Sequence, residues 1–170
     1  MTTETNPIKR SKELAPLSRE HHEGLLFVWK IRQGIRNGIA TYRIADYCGW
    51  FWSTHLKNHI AIEERILPQV LSVEHPMMQK MLSEHEAIKE QITALQNYSS
   101  YPAFEHLARV IEYHIRFEER QLFKLVEQLA AAGQLSELEK AHNEKQQAPE
   151  WADEFWLYKK PVTISPQSLN

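Results

Sequence analysis

A phrase of nine residues occurs twice in this 170-residue chain, and it constrains the fold more than any other feature. His59-Ile60-Ala61-Ile62-Glu63-Glu64-Arg65-Ile66-Leu67 reads against His114-Ile115-Arg116-Phe117-Glu118-Glu119-Arg120-Gln121-Leu122. In both copies a histidine and a glutamate stand four residues apart, so on a helix they sit one above the other on one face. An imidazole and a carboxylate placed this way can converge on one metal ion, or reach two ions a few ångströms apart. A weaker repeat precedes each copy: His22-Glu23-Gly24-Leu25 resembles His85-Glu86-Ala87-Ile88. The chain therefore reads as two similar helical hairpins, each with a lone histidine followed by His-x-x-x-Glu. One such pair on a helix arises often by chance, whereas two copies with matching flanks are much harder to dismiss.

Helical periodicity accounts for the rest of the chain up to Gly133. The first helix is expected from about Ser18, as N-cap, to Ile35, closed by Asn37-Gly38. The second is expected from about Tyr42 to Leu67, and the third from Pro76 to about Asn97, with proline in the first turn. The fourth is expected from Pro102 to Gly133, with the glycine as C′ residue. Short links between four long helices predict an all-α, up-down-up-down four-helix bundle over residues 13–133. Residues 134–170 form a C-terminal extension, with a short helix over Ser136 to about Gln146. Its aromatic residues Trp151, Phe155, Trp156 and Tyr158 are expected to cap the bundle, because exposing them together is unfavourable. Pro161–Asn170 reads as loose chain. Five glycines and no alternating apolar runs argue against strands.

Composition excludes several functions. A formal net charge of -2 supplies no basic field for nucleic acid. The one cysteine, Cys48, rules out an intramolecular disulfide framework and fits a reducing compartment. No run approaches the roughly 18 apolar residues of a membrane span, and Met1–Lys12 lacks the apolar core of a secretory signal. A soluble cytoplasmic protein is the expectation. A monomer and a homodimer both fit the sequence.

On His22, His59-x-x-x-Glu63, His85 and His114-x-x-x-Glu118, with the phrase Leu17-Ser-Arg-Glu-His-His22, the sequence resembles the hemerythrin-like (HHE cation-binding) family. The resemblance spans Leu17 to Glu127. It implies a four-helix bundle with an oxo- or hydroxo-bridged pair of non-haem irons, the histidines as terminal ligands and the glutamates bridging. The donor types also admit manganese or zinc. His21 and His22 lie about 100° apart on a helix, and His22 is preferred because Leu25, Leu26 and Trp29 follow it at helical spacing. Glu63 and Glu118 are preferred over their neighbours Glu64 and Glu119, which are left to solvent or to supporting the ligands.

Oxygen-carrying members place a further histidine one turn after the third-helix ligand, where this chain has Lys89. The four-histidine set is closer to iron–sulfur cluster repair and nitric-oxide-responsive members, whose N-terminal cysteine segment is not found here. The resemblance thus implies a di-iron protein for O2 or NO, redox sensing or iron handling. One alternative is a di-iron enzyme reducing NO or peroxide, or repairing iron–sulfur clusters. Another, from a different class, is a metal-free helical interaction module using the aromatic tail.

Overall fold

The computed structural model describes residues 9–143 and 148–159, and every regular element among them is helical. Helix α1 spans Ala15–Arg36. Helices α2 (Thr41–Phe51) and α3 (Lys57–Ile66) form one rod, joined by a π-helical turn at Trp52–Leu56. Helix α4 covers Pro76–Leu95. Helices α5 (Tyr101–Phe117) and α6 (Phe123–Leu129) form the fourth rod, with a second π turn at Glu118–Leu122. A short α7 follows at Ser136–Asn143.

The topology follows from which apolar cluster each rod visits. One cluster contains Leu14, Leu17, Ile66, Met78, Met81, Phe117 and Phe123. The other contains Phe27, Ile31, Ile44, Tyr47, Ile88, Ile92, Phe104 and Ile111. Helix α1 runs from the first cluster to the second, α2–α3 runs back, α4 returns, and α5–α6 reverses again. This is the expected up-down-up-down bundle, and each rod passes its histidine at the crossing between clusters. The site is therefore a polar layer sealed by apolar side chains on both ends.

Several local expectations are corrected. Helix α1 starts three residues before Ser18, at Ala15, with Pro16 in its first turn; Ser18 Oγ donates to Glu119 Oε1 at 2.7 Å instead of capping. The fourth rod ends at Leu129, where Ala130 turns extended, and Gly133 supplies a positive φ of 78° in the following turn. Gly38, at φ 63°, closes α1 as its sequence suggests. His75 caps α4, its Nδ1 accepting the Met77 N–H at 3.1 Å, and Ser100 caps α5.

The aromatic segment packs on the bundle. Phe155 is buried in the second cluster, so close to α1 that a Cβ at Gly34 would sit 2.8 Å from its ring. Lys30 Nζ lies 3.9 Å from the Trp156 ring centroid, and Asp153 pairs with Arg43 at 2.6 Å. Tyr158 is exposed. The remainder of the expected fifth helix past Asn143, and Pro161–Asn170, lie outside the described residues.

Candidate metal centre

The repeat brings its residues to one place. Two groups of four buried side chains could each hold a cation: His21, His59, Glu63 and Glu118, and Glu63, His85, His114 and Glu118. Within each group the ligand atoms lie within 4.8 Å of one another. Both glutamates belong to both groups. His59 Nε2 is 3.2 Å from Glu63 Oε1, and His114 Nε2 is 3.3 Å from Glu118 Oε2, the i,i+4 contacts the repeat predicts. The second π turn begins at Glu118. Because such a turn aligns i with i+5, it sets Phe123 on the same side, where its ring stacks on His21 at 5.3 Å.

The first-helix histidine is a correction: His21, not His22, enters the site. His21 is 3% exposed, with Nε2 at 2.9 Å from Glu118 Oε2, whereas His22 faces solvent. The buried stripe of α1 is Leu17, His21, Gly24, Phe27, Val28 and Ile31. Leu25 and Trp29, which recommended His22, are themselves exposed, at 38% and 46%. Helix α1 thus carries large apolar side chains on its exposed surface as well as on its buried stripe.

Each histidine turns Nε2 inward and presents Nδ1 to a different carboxylate. The contacts are His59 with Glu20 at 2.7 Å, His85 with Glu64 at 3.0 Å, His114 with Glu84 at 2.9 Å, and His21 with Glu119 at 2.7 Å. These glutamates form a closed ring in chain order. The glutamate of α1 supports the histidine of α3, that of α3 supports α4, that of α4 supports α5, and Glu119 returns to α1. Each is also the sequence neighbour of a residue in the inner groups, turned about 100° around its helix. Glu119 is itself held by Ser18 and by Arg10, whose Nε donates to Oε2 at 3.0 Å.

The inner atoms lack partners. His21 Nε2 and all four carboxylate oxygens of Glu63 and Glu118 are buried without a hydrogen bond. With every Nδ1–H given to a carboxylate, the Nε2 atoms are bare acceptors, yet His85 Nε2 and His114 Nε2 stand 3.1 Å apart. Acceptors facing acceptors in a buried layer need a cation or protons between them. The donor set therefore fits a metal.

Electrostatics express the same need as protons. Burial alone lowers a histidine pKa, but Glu63 and Glu20 outweigh it at His59 and raise it to about 9. At His85, burial is again overcome, by Glu118, Glu63 and Glu64, and the value rises to about 11. His21 is raised well above the ordinary value despite its burial, chiefly by Glu118 and Glu119. Burial and the neighbouring Glu63 would raise Glu118, but the surrounding histidines hold it at about 2.

A family model for the hemerythrin HHE cation binding domain matches residues 19–126. The chain belongs to the hemerythrin HHE cation-binding family. Neither a curated protein nor a solved structure matches it significantly. Family membership and the His/Glu groups together make this a metal-binding protein.

Other candidates fall outside the inner groups of this hemerythrin domain. Lys89 is exposed and pairs with Glu86 at 3.3 Å. His55 is half-buried and stacks on Phe51, and His106 is exposed. The side chain of His142 lies outside the described residues. The supporting glutamates Glu20 and Glu84 were missed from sequence, although the dipeptide Glu-His at 20–21 and 84–85 was the signal. It also gives the right alignment of the weaker repeat.

Proposed function

We propose that the bundle holds two non-haem iron ions, with His21 and His59 completing one position, His85 and His114 the other, and Glu63 and Glu118 spanning both. The observation that carries this reading is the set of unpartnered buried atoms shared between two overlapping groups. Imidazole nitrogens with carboxylates suit iron or manganese better than calcium or magnesium. Bound iron would supply one-electron chemistry toward O2 or NO, which makes sensing or redox handling of these gases the function favoured here. The chain's own part is to hold, orient and shield. Nδ1–H donation to the four glutamates fixes each ring's tautomer and raises the basicity of Nε2. Phe123 covers His21, and the two apolar clusters close the layer at its two ends. Lys89, at the surface, argues against reversible oxygen carriage of the five-histidine type.

No helix among the described residues is long and apolar enough to cross a membrane. Cys48, the one cysteine, is a buried free thiol, and a chain without a disulfide framework fits the reducing, cytoplasmic setting favoured here. Metal analysis of protein from its native host tests the proposal: two irons per chain are expected. Anaerobic titration of the reduced protein with NO should give a saturable, reversible spectral change without NO consumption. Retention of full iron after both His59→Ala and Glu118→Ala would refute the ligand assignment.

A further inference from the structure

A cavity of about 240 Å³ lies against one side of the centre. It touches His21, His59 and His114, and its walls come from every rod: Gly24 of α1, Phe51 of α2, Ile60 of α3, Ile88 of α4, and Ile111 with Ile115 of α5. It is far larger than a diatomic gas requires. A dry cavity of about 150 Å³ already admits benzene, and one water occupies about 30 Å³ of liquid. Close-packed interiors rarely keep a void of this size. At its wall Ile115 Cδ1 occupies the place of a Gly24 side chain, 2.8 Å from where a Cβ would stand, so α1 and α5 meet closely there. The first π turn carries Leu56 and His55 to the wall, and π turns interrupt helices frequently at functional sites.

The chemistry of the walls selects the occupant. Three of the histidines that border the cavity, His59, His114 and His21, have their Nδ1 atoms engaged by Glu20, Glu84 and Glu119 and their Nε2 atoms facing the inner groups, while the fourth, His55, has its Nδ1 2.7 Å from the Thr54 hydroxyl. They present ring carbons more than donors. Glu20 and Glu23 are the carboxylates among the residues lining the cavity and no lysine or arginine joins them, so an anion is disfavoured once metal, and not protons, occupies the histidines. A cation would have to shed its water against isoleucines and Phe51. We propose that this cavity binds a neutral, apolar organic molecule of aromatic size, about six to ten heavy atoms, beside the metal centre. Its position next to metal rests on the function proposed above, whereas binding to the walls can be tested apart from it.

Toluene serves as the probe, titrated into full-length protein whose metal content is measured in the same sample. Saturable binding of one toluene per chain is expected, with methyl NMR shifts at Ile60, Ile88, Ile111 and Ile115. Leu56→Trp and Ile111→Trp, which fill the cavity from two different rods, should each weaken binding at least tenfold. Their helical circular dichroism serves as the check on folding. Absence of saturable binding to the wild type, or wild-type affinity in both folded variants, would overturn the proposal. Toluene binding by a protein that retains no metal would uphold the cavity and refute the metal reading. Metal without toluene binding would do the reverse.

Discussion

Removing metal should invert the pH dependence of stability. In the metal-free protein His59 and His85 keep protons to about pH 9 and about pH 11, because Glu20, Glu63, Glu64 and Glu118 surround them. In the unfolded chain both release them near 6.5. Their contribution to stability is therefore complete below about pH 6.5 and is lost as pH rises through the folded values. Integrating the difference in bound protons from pH 6.5 to about pH 8.5 gives roughly 2 kcal/mol for each histidine. Both lean on Glu63, so the combined loss lies between about 2 and 4 kcal/mol, a large share of a typical domain's stability. On the acid side, Glu118 and Glu119 sit at about 2, so their contribution is present above the ordinary value of 4.5 and is lost as pH falls toward 2.

Urea unfolding of chelator-treated protein between pH 5 and 9 measures this directly, with midpoints converted at constant slope. Stability should be highest near pH 5 to 6 and fall steadily above about pH 6.5. Metal-loaded protein should gain over the same alkaline range, since binding needs deprotonated imidazole and proton competition fades as pH rises. Metal-free stability that is flat or rising from pH 6.5 to about pH 8.5 would refute the proton network.

The geometry carries three other expected outcomes. His21→Ala should empty one metal position and roughly halve the metal content, while His22→Ala, at an exposed residue, should leave elemental analysis unchanged. Gly34→Ala should cost about 1–3 kcal/mol by forcing a Cβ against the Phe155 ring. Calorimetry of the double variant with Phe155→Ala should show most of that penalty gone, with Ile44 Cδ1 at 3.0 Å as the remaining contact, a coupling that exists only if the segment docks there. Among the supporting glutamates, Glu119→Gln and Glu20→Gln should weaken metal binding most, by about 10–100-fold, because both are equally shielded and both stand 2.7 Å from their histidines. Glu64→Gln should weaken it least, since its side chain is 41% exposed against 17% for Glu119.

The legible part of the fold was whatever the helical period fixes within one segment. The pairs His59/Glu63 and His114/Glu118 had to share a face, and their apolar flanks had to bury it, so the bundle and most of the inner groups could be placed. Choices between adjacent residues were harder. His21 and His22 differ by about 100° of rotation, and Leu25 and Trp29, the apolar residues at helical spacing from His22, are left exposed by the fold. The alternative stripe through Leu17, Gly24 and Phe27 carried the answer, with Gly24 marking the close approach to Ile115. The π turns were illegible, because one added residue leaves the local pattern helical while rotating the face of the next helical turns. Ser18 had the composition of a cap, but Glu119 captures its hydroxyl across a sequence separation of 101 residues.

The ring of glutamates explains why the repeat is a doublet of acids and not a single one. In Glu63-Glu64 and Glu118-Glu119 the first residue faces the inner layer, and the second reaches sideways to the histidine of the next rod. The Glu-His dipeptides at 20–21 and 84–85 divide the same labour in the opposite order, glutamate sideways and histidine inward. Two of the four links stay within a hairpin, Glu20 to His59 and Glu84 to His114. The other two, Glu64 to His85 and Glu119 to His21, cross between hairpins. Neither hairpin can therefore orient all of its own histidines, and each completes the other's. A half-formed bundle would leave one histidine per hairpin without its carboxylate, and a buried imidazole so placed has neither a fixed tautomer nor a settled orientation. Ordering of the polar layer and docking of the hairpins are thus coupled, because all four histidines have their carboxylates only in the docked bundle.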